Sequence, residues 1–263
     1  MLCENRIREL LIAMGVPVRL VFYDSTDSTN NRAREWAKGD YTGGCVAFLA
    51  RKQTAGRGRR GRTFLSEEGG IYLSLLVRPD KNTKTERITG EAATTVLSVV
   101  ERLTGLSVGI KWVNDLYING KKCAGILTEG EFDENGNLAY FVLGLGINVY
   151  KINNFSSKMP IATTLEDEVD REKEAKNREV RLPDINRLCA EIIASLLSTD
   201  TPSVSDYKKR CILLGKRVLI KRGDSEFFAT ALDVCEDYSL LIRLDGGEEI
   251  ALGSGEVTTV FNP

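Results

Sequence analysis

Residues 108–150 read VGIKWVNDLYINGKKCAGILTEGEFDENGNLAYFVLGLGINVY, and this stretch decides the fold. Apolar residues fill three runs, 108–118, 121–130 and 138–150, separated by turns at NGK and FDENGN. Asn-Gly between apolar runs marks a hairpin, because both central residues of the favoured two-residue turn take positive φ and these two residue types tolerate it. Connections this short make neighbouring strands antiparallel, since a parallel pair needs a crossover of a dozen or more residues. The centre of the chain is therefore predicted to be a largely antiparallel sheet.

Toward the N-terminus, GEAATTVLSVVERLTG (90–105) reads as a helix with Ala and Val on one face, ended by Gly105. IYLSLLVRP (71–79), CVAFLARK (45–52) and VRLVFYDST (18–26) read as strands, the first stopped by Pro79. A Ser or Thr cap in STNN (28–31) opens a short helix to Lys38, and ENRIRELLIAM (4–14) has helical spacing. Beyond Tyr150 lies a polar stretch to Arg181 whose charge run EDEVDREKEAKNRE (166–179) predicts a mobile or solvated helical connection. Amphipathic helices are predicted over 182–198 and 203–215. From Lys216 the texture changes to short alternating strands with turns at RGD, DGG and GSGE, the pattern of a small β-barrel. The expected fold class is α+β, a mixed, largely antiparallel sheet with helices over residues 1–212 and a small barrel over 213–263.

Across 263 residues, 36 basic side chains face 37 acidic ones, a net charge of −1. This argues against a globally basic nucleic-acid binder, although a local patch stays open. No apolar run approaches the roughly 18 residues of a membrane span, and MLCENRIREL lacks the apolar stretch of a signal peptide, so a cytoplasmic protein is expected. The sequence contains no histidine, which excludes Ser-His and Cys-His nucleophilic arrangements and histidine metal sites. Chemistry falls to Lys, Arg, carboxylates, amides and backbone. The cysteines at 3, 45, 123, 189, 211 and 235 form no C-x-x-C pair and read as small core residues, so no metal site is assigned.

The densest feature is RKQTAGRGRRGR (51–62), with six cations and three glycines in twelve residues. Gly56-x-Gly58-x-x-Gly61 fits a dinucleotide fingerprint, and residues 56–63 miss a Walker loop by carrying Arg62 where it has lysine. Both motifs need a helix immediately afterwards to bind the phosphate, and TFLSEEGG followed by a strand supplies none. An anion-binding loop and a basic surface patch remain. Lys111 sits in the otherwise apolar VGIKWV and needs an anion, either a ligand or a neighbouring strand's carboxylate. In one extended strand Lys111, Val113 and Asp115 share a face, and Trp112 and Asn114 the other. Glycines 144 and 146 inside an apolar strand mark a bulge or the close approach of a ligand or backbone, and Asn148 at its end can donate and accept on an adenine-like edge.

DSTNN (27–31), QTAGRGRRGR (53–62), KWVNDLYINGKKCAGIL (111–127) and GLGINV (144–149) together resemble, in order and spacing, the motifs of biotin protein ligases. The resemblance runs through residues 22–165 and implies that the C-terminal barrel is SH3-like. It implies activation of biotin by ATP to biotinyl-5′-AMP with release of pyrophosphate, then transfer to a lysine of a biotin carboxyl carrier protein, with Mg²⁺ accompanying ATP. By resemblance, Ser28, Thr29, Asn30, Gln53, Gly56, Arg57, Gly58, Arg59, Lys122 and Gly125 serve biotin. Arg57, Arg59, Arg60, Lys111, Asn114 and Asn148 serve the nucleotide, and residues 160–165 form a loop closing on the adenylate. Arg59, Lys111, Asp115 and Lys122 are the catalytic candidates, Asp115 for the acceptor lysine.

Val113 replaces a proline common in the family, and Phe64 a tryptophan. Only about 20 residues precede the first strand, too few for the winged helix that makes some members repressors, so DNA binding is not expected; a homodimer is compatible. The alternatives are a lipoate ligase or acyltransferase of the same fold, which needs a longer apolar pocket, and a nucleic-acid-binding regulator using the arginine loop as a phosphate patch.

Overall fold

A computed structural model describes residues 1–39, 41, 43–80, 83–152, 159–175, 179–222 and 225–259. The larger sheet contains β1 (Arg19–Thr26), β2 (Cys45–Gln53), β3 (Gly70–Val77), β4 (Gly109–Lys111), β5 (Asp115–Ile118), β6 (Lys121–Phe132) and β7 (Leu138–Asn148), in the order β1-β2-β3-β7-β6-β5-β4. Only β1 and β2 run parallel, so the sheet is mixed and largely antiparallel. The helices are α1 (Glu4–Ala13), α2 (Thr29–Ala37), α3 (Ile88–Thr104), α4 (Leu165–Ala175), α5 (Ile185–Leu196) and α6 (Val204–Arg210). Gly105 ends α3 in the left-handed region at φ 77°, as its sequence implies.

Strand alternation sorts the sheet into two faces. Ala47, Leu49, Ile71, Leu73, Leu75, Leu143, Leu145 and Ile147 join the main core with α1, α3 and α5. Val46, Phe48, Leu76 and Val142 pack with Ala33 of α2 in a smaller cluster. Ser74, Gly144 and Gly146 share that second parity, which puts two strand glycines on the face that α2 covers.

The predicted strand 108–118 is instead a hairpin. β4 ends at Lys111, the chain reverses through Trp112–Asn114 with a cis Trp112–Val113 peptide, and β5 starts at Asp115, the cross-strand partner of Lys111. Lys111 and Asp115 thus face the same way by pairing rather than by alternation, while Trp112 and Asn114 are both buried. The second C-terminal helix stops at Arg210 rather than Gly215, because Cys211 turns extended and bridges to Ile110. The connection after Tyr150 is not merely solvated, since α4 buries Leu165, Val169 and Glu168. Cys3 is exposed rather than in the core, and Cys45, Cys211 and Cys235 are half-buried.

The smaller sheet contains β8 (Arg217–Arg222), β9 (Ser225–Val234), β10 (Leu240–Leu244), β11 (Glu249–Leu252) and β12 (Glu256–Thr259), ordered β11-β10-β9-β8-β12 and paired antiparallel. The expected turn at RGD falls partly outside the described residues. Trp112 Nε1 donates to the Tyr238 carbonyl at 2.7 Å, tying this sheet to the β4–β5 reversal. Among the described residues no helix is long and apolar enough to cross a membrane.

Candidate active site

On the α2 face a recess of about 50 Å³ opens where the strand glycines leave the sheet bare. Gly125 pairs with Gly146, and Leu127 with Gly144, so three glycines of two adjacent strands contribute no side chain to its floor. A Cβ on Gly144 would lie 2.2 Å from Asn30 Oδ1, and one on Gly146 2.5 Å from the Phe64 ring. The glycines are therefore required by close approach.

Above this floor stands the N-terminus of α2. Ser28 occupies the N-cap position, but its side chain makes no cap bond. Gln53 Oε1 takes that role, accepting from the Thr29 amide at 2.8 Å and the Thr29 hydroxyl at 3.1 Å. Its other end donates to Ser66 Oγ at 2.9 Å. Ser74 Oγ donates to Asn30 Oδ1 at 2.5 Å and Asn30 Nδ2 to Glu129 Oε2 at 2.8 Å, so both ends of the Asn30 amide are spent on protein.

The arginine loop walls the recess. Phe64 N donates to the Gly56 carbonyl at 2.9 Å, and Gly58 N to the Arg62 carbonyl at 2.7 Å, folding the loop on itself. A Cβ on Gly56 would lie 2.3 Å from the Phe64 carbonyl oxygen, so Gly56 serves the packing of the loop and lines neither cavity. Arg57 is pinned between Asn31 Oδ1 and Glu129 Oε1, both at 3.0 Å. It lines the recess but not the adjoining cleft. Arg59 donates to Asn114 Oδ1 at 3.0 Å and lines both; burial pulls its pKa below the ordinary guanidinium range. Arg60, held at φ 56°, donates to the Lys221 carbonyl of β8 at 3.3 Å, and Arg62 pairs with Glu256 of β12.

The cleft, about 490 Å³, continues from the recess past Arg59, Asn114 and Lys122. Lys122 Nζ lies 2.6 Å from Asp115 Oδ1 and 5.9 Å from the Phe64 ring centre. Lys111 stands 5.6 Å over the Tyr117 ring; burial lowers its pKa, with Asp115 opposing the shift. Burial pushes the Tyr117 phenol up to about 12. Asn148 Nδ2 donates to the Thr163 carbonyl at 3.1 Å, and Met159, Ile161 and Ala162 complete that wall. Five cations, Arg59, Arg60, Arg62, Lys111 and Lys122, and a buried amide edge thus line one apolar-walled space, an arrangement suited to a polyanion with a planar group.

Every sequence-derived candidate except Gly56 lines one cavity or both. Sequence reading missed Ser74, Glu129, Glu168 and Glu256, which lie outside the motifs and meet them through long-range contacts. Glu129 alone carried a local signal, as a carboxylate beside the apolar part of β6.

Residues 22–148 match the biotin/lipoate A/B protein ligase family. The bifunctional ligase/repressor BirA of Bacillus subtilis is 40% identical over 168 residues, 62% of this chain and 51% of that protein, so the chain spans about half the length of the first curated relatives it matches. The biotin–[acetyl-CoA-carboxylase] ligase of Mycobacterium tuberculosis is 30% identical over 97% of this chain and 94% of its own. In fold, the biotin protein ligase from Aquifex aeolicus in complex with biotin and ATP gives a TM-score of 0.75 at 24% identity, covering 92% of this chain and 99% of that one. With the recess residues inside the matched region and identity extending over nearly the whole of a curated relative, the chain belongs to the biotin/lipoate A/B protein ligase family.

Proposed function

We propose that this chain is a biotin protein ligase, an AMP-forming enzyme that biotinylates a lysine of a biotin carboxyl carrier domain. One observation carries the reading: a recess headed by Ser28, Thr29 and Gln53 runs into a cationic cleft through the shared residues Arg59, Asn114 and Lys122. A ligand seated across that junction places a carboxylate at Lys122 and a phosphate between Arg59 and Lys111. The polar head suits the ureido ring of biotin, whereas lipoate offers no such donors and acceptors.

In the first step a biotin carboxylate oxygen attacks the α-phosphorus of ATP, and the bond to the pyrophosphate oxygen breaks. Two anions must meet, so positioning and charge compensation dominate. One cation at 4 Å supplies about 4 kcal/mol at an effective dielectric of 20, before desolvation. Arg59, Lys111 and Lys122 supply three. In the second step a neutral lysine amine of the carrier attacks the acyl carbon, AMP leaves, and Asp115 takes the amine proton. Asn148 addresses the adenine, and residues 213–263 form a separate domain closing one end of the cleft. Among the described residues no group of three His, Cys, Asp or Glu gathers to hold a metal; Mg²⁺ would be held chiefly by the ATP phosphates and would neutralise part of their charge, with Asp115 and Glu256 the cleft carboxylates that would complete its ligands.

The test is ATP–pyrophosphate exchange by the purified chain with MgATP and biotin, lipoate or no acid. Exchange with biotin alone is expected. Exchange with lipoate alone overturns the substrate, and none with either overturns the activity.

A further inference from the structure

The mechanism uses four ionisable groups in the cleft and leaves one buried carboxylate unexplained. Glu168, on the first turn of α4, has no exposed surface. Its Oε1 accepts from the Thr163 hydroxyl at 2.6 Å; its Oε2 accepts from Asn119 Nδ2 at 2.8 Å and from Arg171 Nη1 at 3.2 Å. A buried carboxylate is retained without large cost only when fully hydrogen-bonded, and losing it strands its donors. The solvated charge run read from the sequence does not require such a group.

Two of the three partners of Glu168, Asn119 and Thr163, belong to the two segments that hold Lys122. Asn119, at φ 48°, and Gly120, at φ 77°, make the two-residue turn that delivers β6, and Lys122 follows two residues later. Thr163 lies on the segment crossing the cleft, where Lys122 N donates to the Ile161 carbonyl and Thr163 N to the Lys122 carbonyl, each at 2.9 Å. The Thr163 carbonyl in turn receives Asn148 Nδ2. Thr164 anchors the same segment to α4, accepting from the Asp167 amide at 3.0 Å. Glu168 thus closes a ring comprising the β5–β6 turn, Lys122 and the wall contacted by Asn148.

We infer that Glu168 is a positioning residue for the nucleotide, holding segment 159–164 and the β5–β6 turn in the relative placement that the cleft needs. It touches no reacting atom, and the inference rests on reading the cleft as the ATP site. The recess is floored by β6 and β7 and headed by α2 and Gln53, and of its lining only Lys122 belongs to this ring, so its polar head stays in place and the larger effect falls on the nucleotide.

The experiment compares wild type with Glu168→Ala, Glu168→Gln and Thr163→Val in biotin-dependent pyrophosphate exchange, in biotin binding by calorimetry, and in amide hydrogen exchange. Glu168→Ala is expected to raise KM for ATP by about tenfold or more, the scale of a small misplacement near a reacting centre, and to hold the biotin Kd within about threefold. Glu168→Gln restores most of the KM, because its amide oxygen still accepts from Asn119 and Arg171 while its NH2 donates to the Thr163 hydroxyl, which rotates to accept. Thr163→Val, which keeps volume and removes one donor, gives an intermediate KM and serves if the alanine variant does not fold. In hydrogen exchange the amides of 159–164 lose protection in the alanine or valine variant while those of β3 do not. Unchanged protection of 159–164, or equal losses for ATP and biotin, overturns the inference. A wild type that exchanges no pyrophosphate, with the loop still responding, overturns the ATP assignment of the cleft and the nucleotide role with it, leaving only the loop contact.

Discussion

The recess and the cleft share five residues, Gly58, Arg59, Phe64, Asn114 and Lys122, yet are built in opposite ways. The recess lies on a sheet whose registry is fixed by paired strands, and the Thr29, Asn30, Gln53 and Ser74 side chains are hydrogen-bonded to one another or to protein before any ligand arrives. The cleft is assembled from a hairpin reversal, the arginine loop, segment 159–162 and the edge of the smaller sheet. Two of its cations, Lys122 and Arg62, are paired with the carboxylates Asp115 and Glu256, which a polyanion would displace or rearrange. A preorganised pocket gives selectivity, because its polar groups cannot turn to satisfy a wrong ligand. A pocket held by ion pairs gives charge compensation that varies with what is bound.

The largest expected effect breaks this division where the two cavities meet. Lys122→Ala removes a cation from the junction and leaves Asp115, 2.6 Å from it, without its ion-pair partner beside the incoming phosphate. Single-turnover adenylate formation is expected to fall by about 10²–10³-fold, the scale for removing one charge-stabilising donor. Biotin affinity falls by about tenfold at most, since the ureido end of the recess is intact. Equal losses in the two measurements would mean that the cavities act as one.

A smaller effect sharpens the comparison from the recess side. In Gly144→Ala the new methyl meets Asn30, whose amide is locked by Ser74 and Glu129, and whose displacement costs about 1–3 kcal/mol, or roughly tenfold or more in biotin affinity. In Gly146→Ala the obstacle is the far edge of the Phe64 ring, borne by a loop that can yield. Calorimetric titration of biotin is expected to rank Gly144→Ala well below Gly146→Ala, with MgATP binding unaffected in Gly144→Ala; the reverse order refutes the locked-amide account.

This contrast also explains what was legible in the sequence. Recess residues come from short contiguous motifs whose strand parity and glycine spacing are local facts, so 27–31, 53–62 and 144–149 could be read directly. The hairpin at 112–114 was misread as one strand because Trp112 and Val113 have strand propensity and no Gly or Asn-Gly marks the reversal. Asp115 and Lys111 ended on one face for a reason the alternation rule does not contain. Glu129 sits 99 residues from Asn30, Glu168 49 residues from Asn119, and Glu256 lies in the smaller sheet, far along the chain from Arg62, and no local pattern announces such pairs. Glu168 was hidden further by lying in a run of charges that reads as solvent-facing until packing places one of them inside.

The smallest expected effect tests whether the cleft's charges tune with pH as loosely held groups should. Burial disfavours the charged form of Lys111 and Lys122 and Arg62 repel it, while Asp115 and Glu256 oppose the shift; the outcome is a pKa below that of an ordinary lysine. The charged form is the one that binds phosphate. As pH rises, Lys111 therefore loses its proton before an exposed lysine would, and kcat/KM for ATP, which reports the free enzyme, turns down below the usual lysine value of about 10.4. Arginine at this position stays protonated throughout. Lys111→Arg is expected to lower kcat/KM at neutral pH by only a few-fold, for the change from a compact ammonium to a planar fork, and to carry the alkaline limb beyond the measurable range. The recess holds no lysine other than the shared Lys122, so the pH dependence of biotin binding in Lys111→Arg should match wild type. If the alkaline limb for ATP stays where it was, another group governs it, and Lys111 is a structural partner of Asp115 rather than a cation serving the nucleotide.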